Sequence, residues 1–192
     1  MILAKSAGFC FGVARAVRMA QELAGSGQPA RMLATVIHNS TVVEDLAGRG
    51  VGVIHSPEEA QTGEAVLLRA HGASRQVYEA LRARGARIVD ATCPKVARVR
   101  EIVQQAEGEG RRCVMIGDKN HPEVAGIAGW CRDLLVFSGP DDLSAAFTEG
   151  ILTGVMPLTV VSQTTLIRSV WENSLKILKN QCTNLKIFDT IC

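Results

Sequence analysis

The sequence predicts an α/β protein of repeated α/β/α units with mainly parallel sheets, and two observations carry that expectation. Short runs of branched and apolar residues recur along all 192 residues, and helical periodicity falls between most of them. Strand followed by helix followed by strand is the pattern of parallel neighbours joined by crossover helices, with both sheet faces covered. The expected strands are residues 2–4, 32–37, 51–54, 65–68, 87–89, 113–116, 134–137, 158–161 and 185–188. Val13, Val17, Ala20 and Leu23 make one apolar helical stripe, and Val96, Val99, Val103 and Ala106 make a second, with Gly108 as its stop. Ile167, Val170, Trp171, Leu175 and Leu178 make a third. Thr41 and Glu44 have the spacing of a capping box that opens a helix at Val42. A fresh strand–helix series begins near Cys93–Pro94, which sets the expected domains at 1–93 and 94–192.

Composition excludes several classes. A hydrophobic share of 47% and a charged share of 21% are ordinary for a globular chain, and a net charge of +2 gives no footprint for nucleic acid. The apolar runs are strand-sized, so no membrane partner is expected. A chemically loaded motif is reached by Cys10, which leaves no room for a signal peptide and points to the cytoplasm. Six cysteines are present without a CxxC pair. In a reducing compartment such thiols are buried, catalytic or metal-bound rather than paired as disulfides.

The polar chemistry collects where strands give way to helices, which is where open α/β sheets bind their ligands. Those turns are Gly8 to Gly12, His38 to Thr41, His71-Gly72, Asp90 to Pro94, Gly117 to Glu123, Ser162 to Thr165, and Asp189 to Cys192. They hold three of the six cysteines and three of the four histidines. Cys10, Cys93 and Cys192 are the candidate ligands of an iron–sulfur cluster, since such clusters take soft thiolates and three of them leave one iron open. Pro94 suits a first helical position and places Cys93 at a helix N-terminus. Cys113, Cys131 and Cys182 read as structural, and His55 receives no role.

His38, His71 and His121, with the hydroxyls of Thr41 and Ser74, make a candidate diphosphate cradle at helix N-termini. Each histidine taken alone is as readily a satisfied structural residue. Glu123 opens a helix, where a carboxylate is ordinarily only a favourable first-turn charge, but beside an anion site and a Lewis-acidic iron it is the candidate proton donor. Thr164 orients that proton or the substrate hydroxyl, or simply caps a helix. Two other readings use the same residues: a non-catalytic zinc-binding α/β module with mixed Cys and His ligands, and a phosphate-binding domain whose cysteines are inert.

Seven blocks occur in a fixed order: Gly8-Phe9-Cys10-x-Gly12-Val13, Ile37-His38-Asn39, Ala70-His71-Gly72, Asp90-Ala91-Thr92-Cys93-Pro94, Gly117 through His121-Pro122-Glu123-Val124 to Gly126, Gln163-Thr164-Thr165 and Asp189-Thr190-Ile191-Cys192. Together they resemble the 4-hydroxy-3-methylbut-2-enyl diphosphate reductases over essentially the whole chain. The resemblance implies a fold of three α/β/α lobes around a central 4Fe-4S cluster, held by Cys10, Cys93 and Cys192 with one iron open. It implies that His38, His71, His121 and Thr164 contact the substrate and that Glu123 delivers the proton. The implied reaction is reductive dehydroxylation of an allylic diphosphate to isopentenyl and dimethylallyl diphosphate, with ferredoxin or flavodoxin as the electron donor. Relatives of this kind continue beyond the position of Cys192 into a third lobe that helps hold the diphosphate. The expectation is therefore two lobes of three, with weak or labile cluster binding and negligible turnover from residues 1–192 alone.

Overall fold

The computed structural model describes residues 8–37 and 39–192, so the expected strand at 2–4 and the side chain of His38 lie outside the described residues. The chain divides into two compact units, Met1–Pro94 and Lys95–Cys192.

In the first unit the order is α1 (Phe11–Gly25), β1 (Ala30–Leu33), α2 (Ser40–Gly48), β2 (Val51–Ile54), a 3-10 turn (Pro57–Glu59), β3 (Ala65–Leu68), α3 (Arg75–Ala83) and β4 (Arg87–Asp90). The four strands form one parallel sheet in the order β2-β1-β3-β4. Every residue of β3 is buried, as a strand covered on both faces requires. The helix stripe of α1 sinks Ala16, Val17, Ala20 and Leu23 into the same core as Met32, Leu46, Ala65 and Leu67, with Val13 half-buried at its margin.

The second unit runs α4 (Pro94–Gly108), β5 (Arg112–Ile116), α5 (Pro122–Ala128), β6 (Leu134–Phe137), α6 (Pro140–Thr148), β7 (Leu158–Ser162), α7 (Arg168–Gln181) and β8 (Leu185–Ile187), with the first residue of α4 closing the preceding unit. Its parallel sheet has the order β6-β5-β7-β8. The core gathers Val114, Ile116, Phe137, Leu143, Leu158, Val160, Trp171 and Leu178.

The α/β expectation is borne out, and the two sheets repeat one strand order. In each, the second strand goes to one side of the first and the third goes to the other. The crevice between β1 and β3, and that between β5 and β7, is therefore a topological switch point, where the loops at the strand ends part and leave room for a ligand. The loops after β3 and β7 carry His71 and Thr164, and the loop after β5 leads into Glu123 in the first turn of α5. His55 follows β2, an edge strand.

Two local expectations are corrected. The N-cap of α2 is Asn39 rather than Thr41: α2 begins at Ser40, and the Asn39 side chain accepts the Val42 N–H at 3.2 Å. The strand expected at 32–37 runs instead over Ala30–Leu33, because Ala34 takes a left-handed conformation (φ 58°) that breaks the extended run. The third helix stripe holds in part: Trp171 and Leu178 are buried, but Ile167 caps α7 and is exposed. Among the described residues, no helix is long and apolar enough to cross a membrane.

Candidate functional site

In the first unit, Cys10 is the N-cap residue of α1; its side chain makes no capping bond and is exposed. Cys93 stands immediately before α4 and is half-buried, with its N–H donating to Ala70 O at 2.9 Å. The two turns are packed together by a glycine. A Cβ at Gly12 would lie 2.6 Å from Cys93 Sγ, so the first turn of α1 leaves its side-chain volume to that sulfur. Arg15 Nη1 also donates to Thr92 O at 3.2 Å, tying α1 to the same loop. Asp90 holds the loop from the other side, accepting the Thr92 N–H at 2.9 Å and the Thr92 hydroxyl through Oδ1, and the Tyr78 hydroxyl at 2.6 Å through Oδ2.

His71 is half-buried beyond β3, followed by Gly72 at φ 74°. A side chain at Gly72 would be strained by that conformation and would press on Thr92 at 3.2 Å, so the glycine lets the histidine loop turn against the cysteine loop. Ser74 is the N-cap of α3 without a side-chain capping bond, and Thr41 is exposed.

The second unit places its polar groups with shorter tolerances. Glu123, in the first turn of α5, is 1% exposed, and Thr164, just past β7, is 5% exposed. The Thr164 N–H donates to Glu123 Oε1 at 2.7 Å and its hydroxyl to Oε2 at 2.6 Å. They meet because β5 and β7 are neighbours in register, Ile116 opposite Ser162. His121 caps α5, and its Nδ1 accepts the Glu123 N–H at 3.2 Å. An accepting Nδ1 is the arrangement in which the ring carries its proton at Nε2. Cys192 is exposed, and its N–H donates to Thr164 O at 2.7 Å, fixing the backbone of the last turn beside the Glu123–Thr164 pair.

A model of the LytB protein family matches residues 1–192. The chain belongs to that family.

Relatives named 4-hydroxy-3-methylbut-2-enyl diphosphate reductase are 40% identical in Caldanaerobacter subterraneus and 37% identical in a Thermoanaerobacter strain, each aligned with 100% of this chain. The chain spans 66% of the length of those two relatives. Among solved structures, one described as (E)-4-hydroxy-3-methyl-but-2-enyl diphosphate reductase, the terminal enzyme of the non-mevalonate pathway, is similar at a TM-score of 0.85 and 35% identity, covering 100% of this chain and 68% of that one. The E-1-hydroxy-2-methyl-but-2-enyl-4-diphosphate reductase of Plasmodium falciparum gives a TM-score of 0.89 at 27% identity, covering 98% and 59%.

The site of this LytB family chain also draws on residues to which the sequence reading gave no role of their own. Gln163 is buried and bridges the loops after β5 and β7: its Oε1 accepts the Asp118 N–H at 2.9 Å, and its Nε2 donates to Thr165 Oγ1 at 2.8 Å. Gly117 makes this possible, since a Cβ there would lie 2.9 Å from Gln163 Cβ. Thr190 donates to Ser162 O at 2.7 Å and accepts the Ser162 N–H at 2.8 Å, which docks the stretch before Cys192 onto the end of β7. Arg69, at the end of β3, is half-buried, and burial pushes its pKa down from the ordinary guanidinium value. Its only sequence signal is a cation directly after an all-apolar strand. Within either unit, among the described residues, no three or more His, Cys, Asp and Glu side chains gather as a metal site.

Proposed function

We propose that this chain is the cluster- and substrate-binding portion of a reductase that removes the hydroxyl of 4-hydroxy-3-methylbut-2-enyl diphosphate, giving isopentenyl and dimethylallyl diphosphate. The observation that carries the proposal is the buried Glu123 carboxyl held at both oxygens by Thr164, at the switch point between β5 and β7. A carboxyl held so firmly, away from water and at a ligand crevice, is arranged for directed proton transfer rather than for solubility.

The residues fit an iron–sulfur cluster on their donor chemistry. The thiols assigned to it are Cys10, Cys93 and Cys192, two of which stand at helix starts, and Gly12 keeps the space beside the Cys93 sulfur clear. When bound there, the cluster supplies electrons and a Lewis-acidic iron for the substrate oxygen. The remaining work belongs to the protein. Glu123 gives a proton to the departing hydroxyl so that water leaves, and Thr164 Oγ1 keeps the Glu123 carboxyl aimed. His121 Nε2–H, with His71 and His38, donates to the diphosphate oxygens. The overall change consumes two electrons and two protons and forms one water, with a one-electron ferredoxin or flavodoxin as donor. The reading places the chain in the cytoplasm.

Glu123→Gln in the full gene product tests the role directly. It keeps the shape and removes the transferable proton, so the diphosphate substrate still binds while single-turnover product formation with a chemical reductant falls by roughly 10²–10⁴-fold. Near-parental turnover would reduce Glu123 to a structural partner of Thr164.

A further inference from the structure

The edge of the second sheet opposite Glu123 carries a second group of reactive side chains. Cys113 lies near the start of β5 and Cys131 shortly before β6, so the pairing of these strands brings the two thiols to the same end of the sheet. They line one cavity of about 230 Å³ with Glu107, Arg111, Arg112, Arg132 and Asp133. Cys113 is buried and its single S–H also reaches Val103 O at 3.4 Å, whereas Cys131 is half-buried. Three arginines and two acidic residues line the cavity: Arg111 holds Thr159, Leu158 O and Asn184 with its guanidinium, Arg132 pairs with Glu107 at 3.8 Å, and Arg112 Nε is buried without a hydrogen-bond partner among the described residues.

We infer that Cys131 and Cys113 form a dithiol–disulfide couple in which Cys131 attacks a small, carboxylate-bearing disulfide drawn into this arginine-lined cavity. The assignment needs one nucleophilic, reachable thiol and one buried partner beside it, and the two residues divide those properties. The hydrogen bond from Cys113 lowers the Cys131 pKa to about 7, against burial and the charges of Glu107 and Asp133, which raise it; the Asp133 backbone assists the lowering. The same bond, with burial and the Cys131 charge, pushes Cys113 up. Cys131 is thus the thiolate and Cys113 its proton-bearing neighbour.

The exchange balances without a further oxidant. Cys131 thiolate attacks one sulfur of the small disulfide, a mixed disulfide forms on Cys131, and one small thiolate leaves. Cys113 then gives up its proton to solvent, attacks Cys131 Sγ and releases the second small thiolate. The protein gains one disulfide, and the small disulfide is reduced to two thiols. Cys113 and Cys131 were expected to be structural; the cavity they share, created by strand pairing, gives them a different character.

At pH 7 a thiol of pKa about 7 holds ~50-fold more thiolate than one at the ordinary value near 9, offset about tenfold by lower nucleophilicity, so Cys131 should react roughly fivefold faster than an ordinary thiol. Cys182 serves as the internal comparison, because burial raises its pKa. The test uses oxidised glutathione as the probe in air-free buffer, followed by alkylation and tryptic mapping; the two cysteines fall in separate peptides, 113–119 and 120–132. The parent chain should yield these peptides cross-linked, at a rate that rises through pH 7. Cys113→Ser and Cys113→Ala should each trap glutathione on Cys131, and cationic cystamine should react more slowly than glutathione disulfide. The proposal is overturned if both Cys113 variants label Cys131 no faster than Cys182, or if the parent never forms the cross-link. Cystamine matching glutathione disulfide would overturn the anionic preference.

Discussion

Thr164 donates twice to Glu123, through its backbone N–H at 2.7 Å and its hydroxyl at 2.6 Å, and both residues are buried. The carbonyl of Thr164 in turn accepts the N–H of Cys192 at 2.7 Å. One residue therefore links the candidate proton donor to the backbone of a candidate cluster ligand.

Removing only the hydroxyl separates these two links. Thr164→Val should keep the backbone bond and the shape, leave Glu123 Oε2 without its donor, and destabilise the fold by about 1–3 kcal/mol. Thr164→Ser should recover most of that loss. Urea unfolding of the three proteins checks the ordering, and a Thr164→Val protein as stable as the parent would mean the hydroxyl bond contributes nothing net.

Gly12→Ala should disturb Cys93 specifically. The added methyl would lie 2.6 Å from Cys93 Sγ and 3.0 Å from its Cβ, so the sulfur must move or α1 must shift. Overpacking of this kind costs about 1–3 kcal/mol. The expected result is weaker iron retention after anaerobic reconstitution with the helix content by circular dichroism unchanged. Unaltered iron retention would show that the sulfur has room to spare.

The first unit should lose stability in acid through Glu64. Its carboxylate makes a two-pronged pair with Arg31, and that bond, with help from the Gln61 backbone N–H, holds its pKa below the usual carboxylate value in spite of burial. A depressed folded pKa means the stabilisation is fully present above the unfolded value, about 4.3, and is lost as pH falls through the folded value. Between pH 7 and pH 3 the parent should therefore lose more stability than Glu64→Gln, which has no carboxylate to protonate. Parallel losses in urea midpoints for the two proteins would contradict this account.

Much of the frame was legible because it is written locally. Cys93 at a helix start followed from Pro94, and the apolar stripes of α1 and α4 followed from residue spacing. Asn39 was passed over as a cap because Thr41 offers the same chemistry two residues later, and a capping pattern does not decide between adjacent candidates. The Glu123–Thr164 bond joins residues 41 positions apart and depends on β7 lying beside β5, a choice of strand order that no local signal encodes. The cavity shared by Cys113 and Cys131 escaped for the same reason, since it depends on β6 taking the other side of β5.

The central claim is that Cys10, Cys93 and Cys192 hold an iron–sulfur cluster while Cys113 does not. Iron and acid-labile sulfide, measured per chain after anaerobic reconstitution of the full gene product as parent and of its single Cys→Ser variants, test it most directly. The account predicts about four of each in the parent and in Cys113→Ser, and loss of both in Cys10→Ser, Cys93→Ser and Cys192→Ser. Stoichiometric zinc without sulfide, or a cluster that survives Cys93→Ser and disappears in Cys113→Ser, would contradict it.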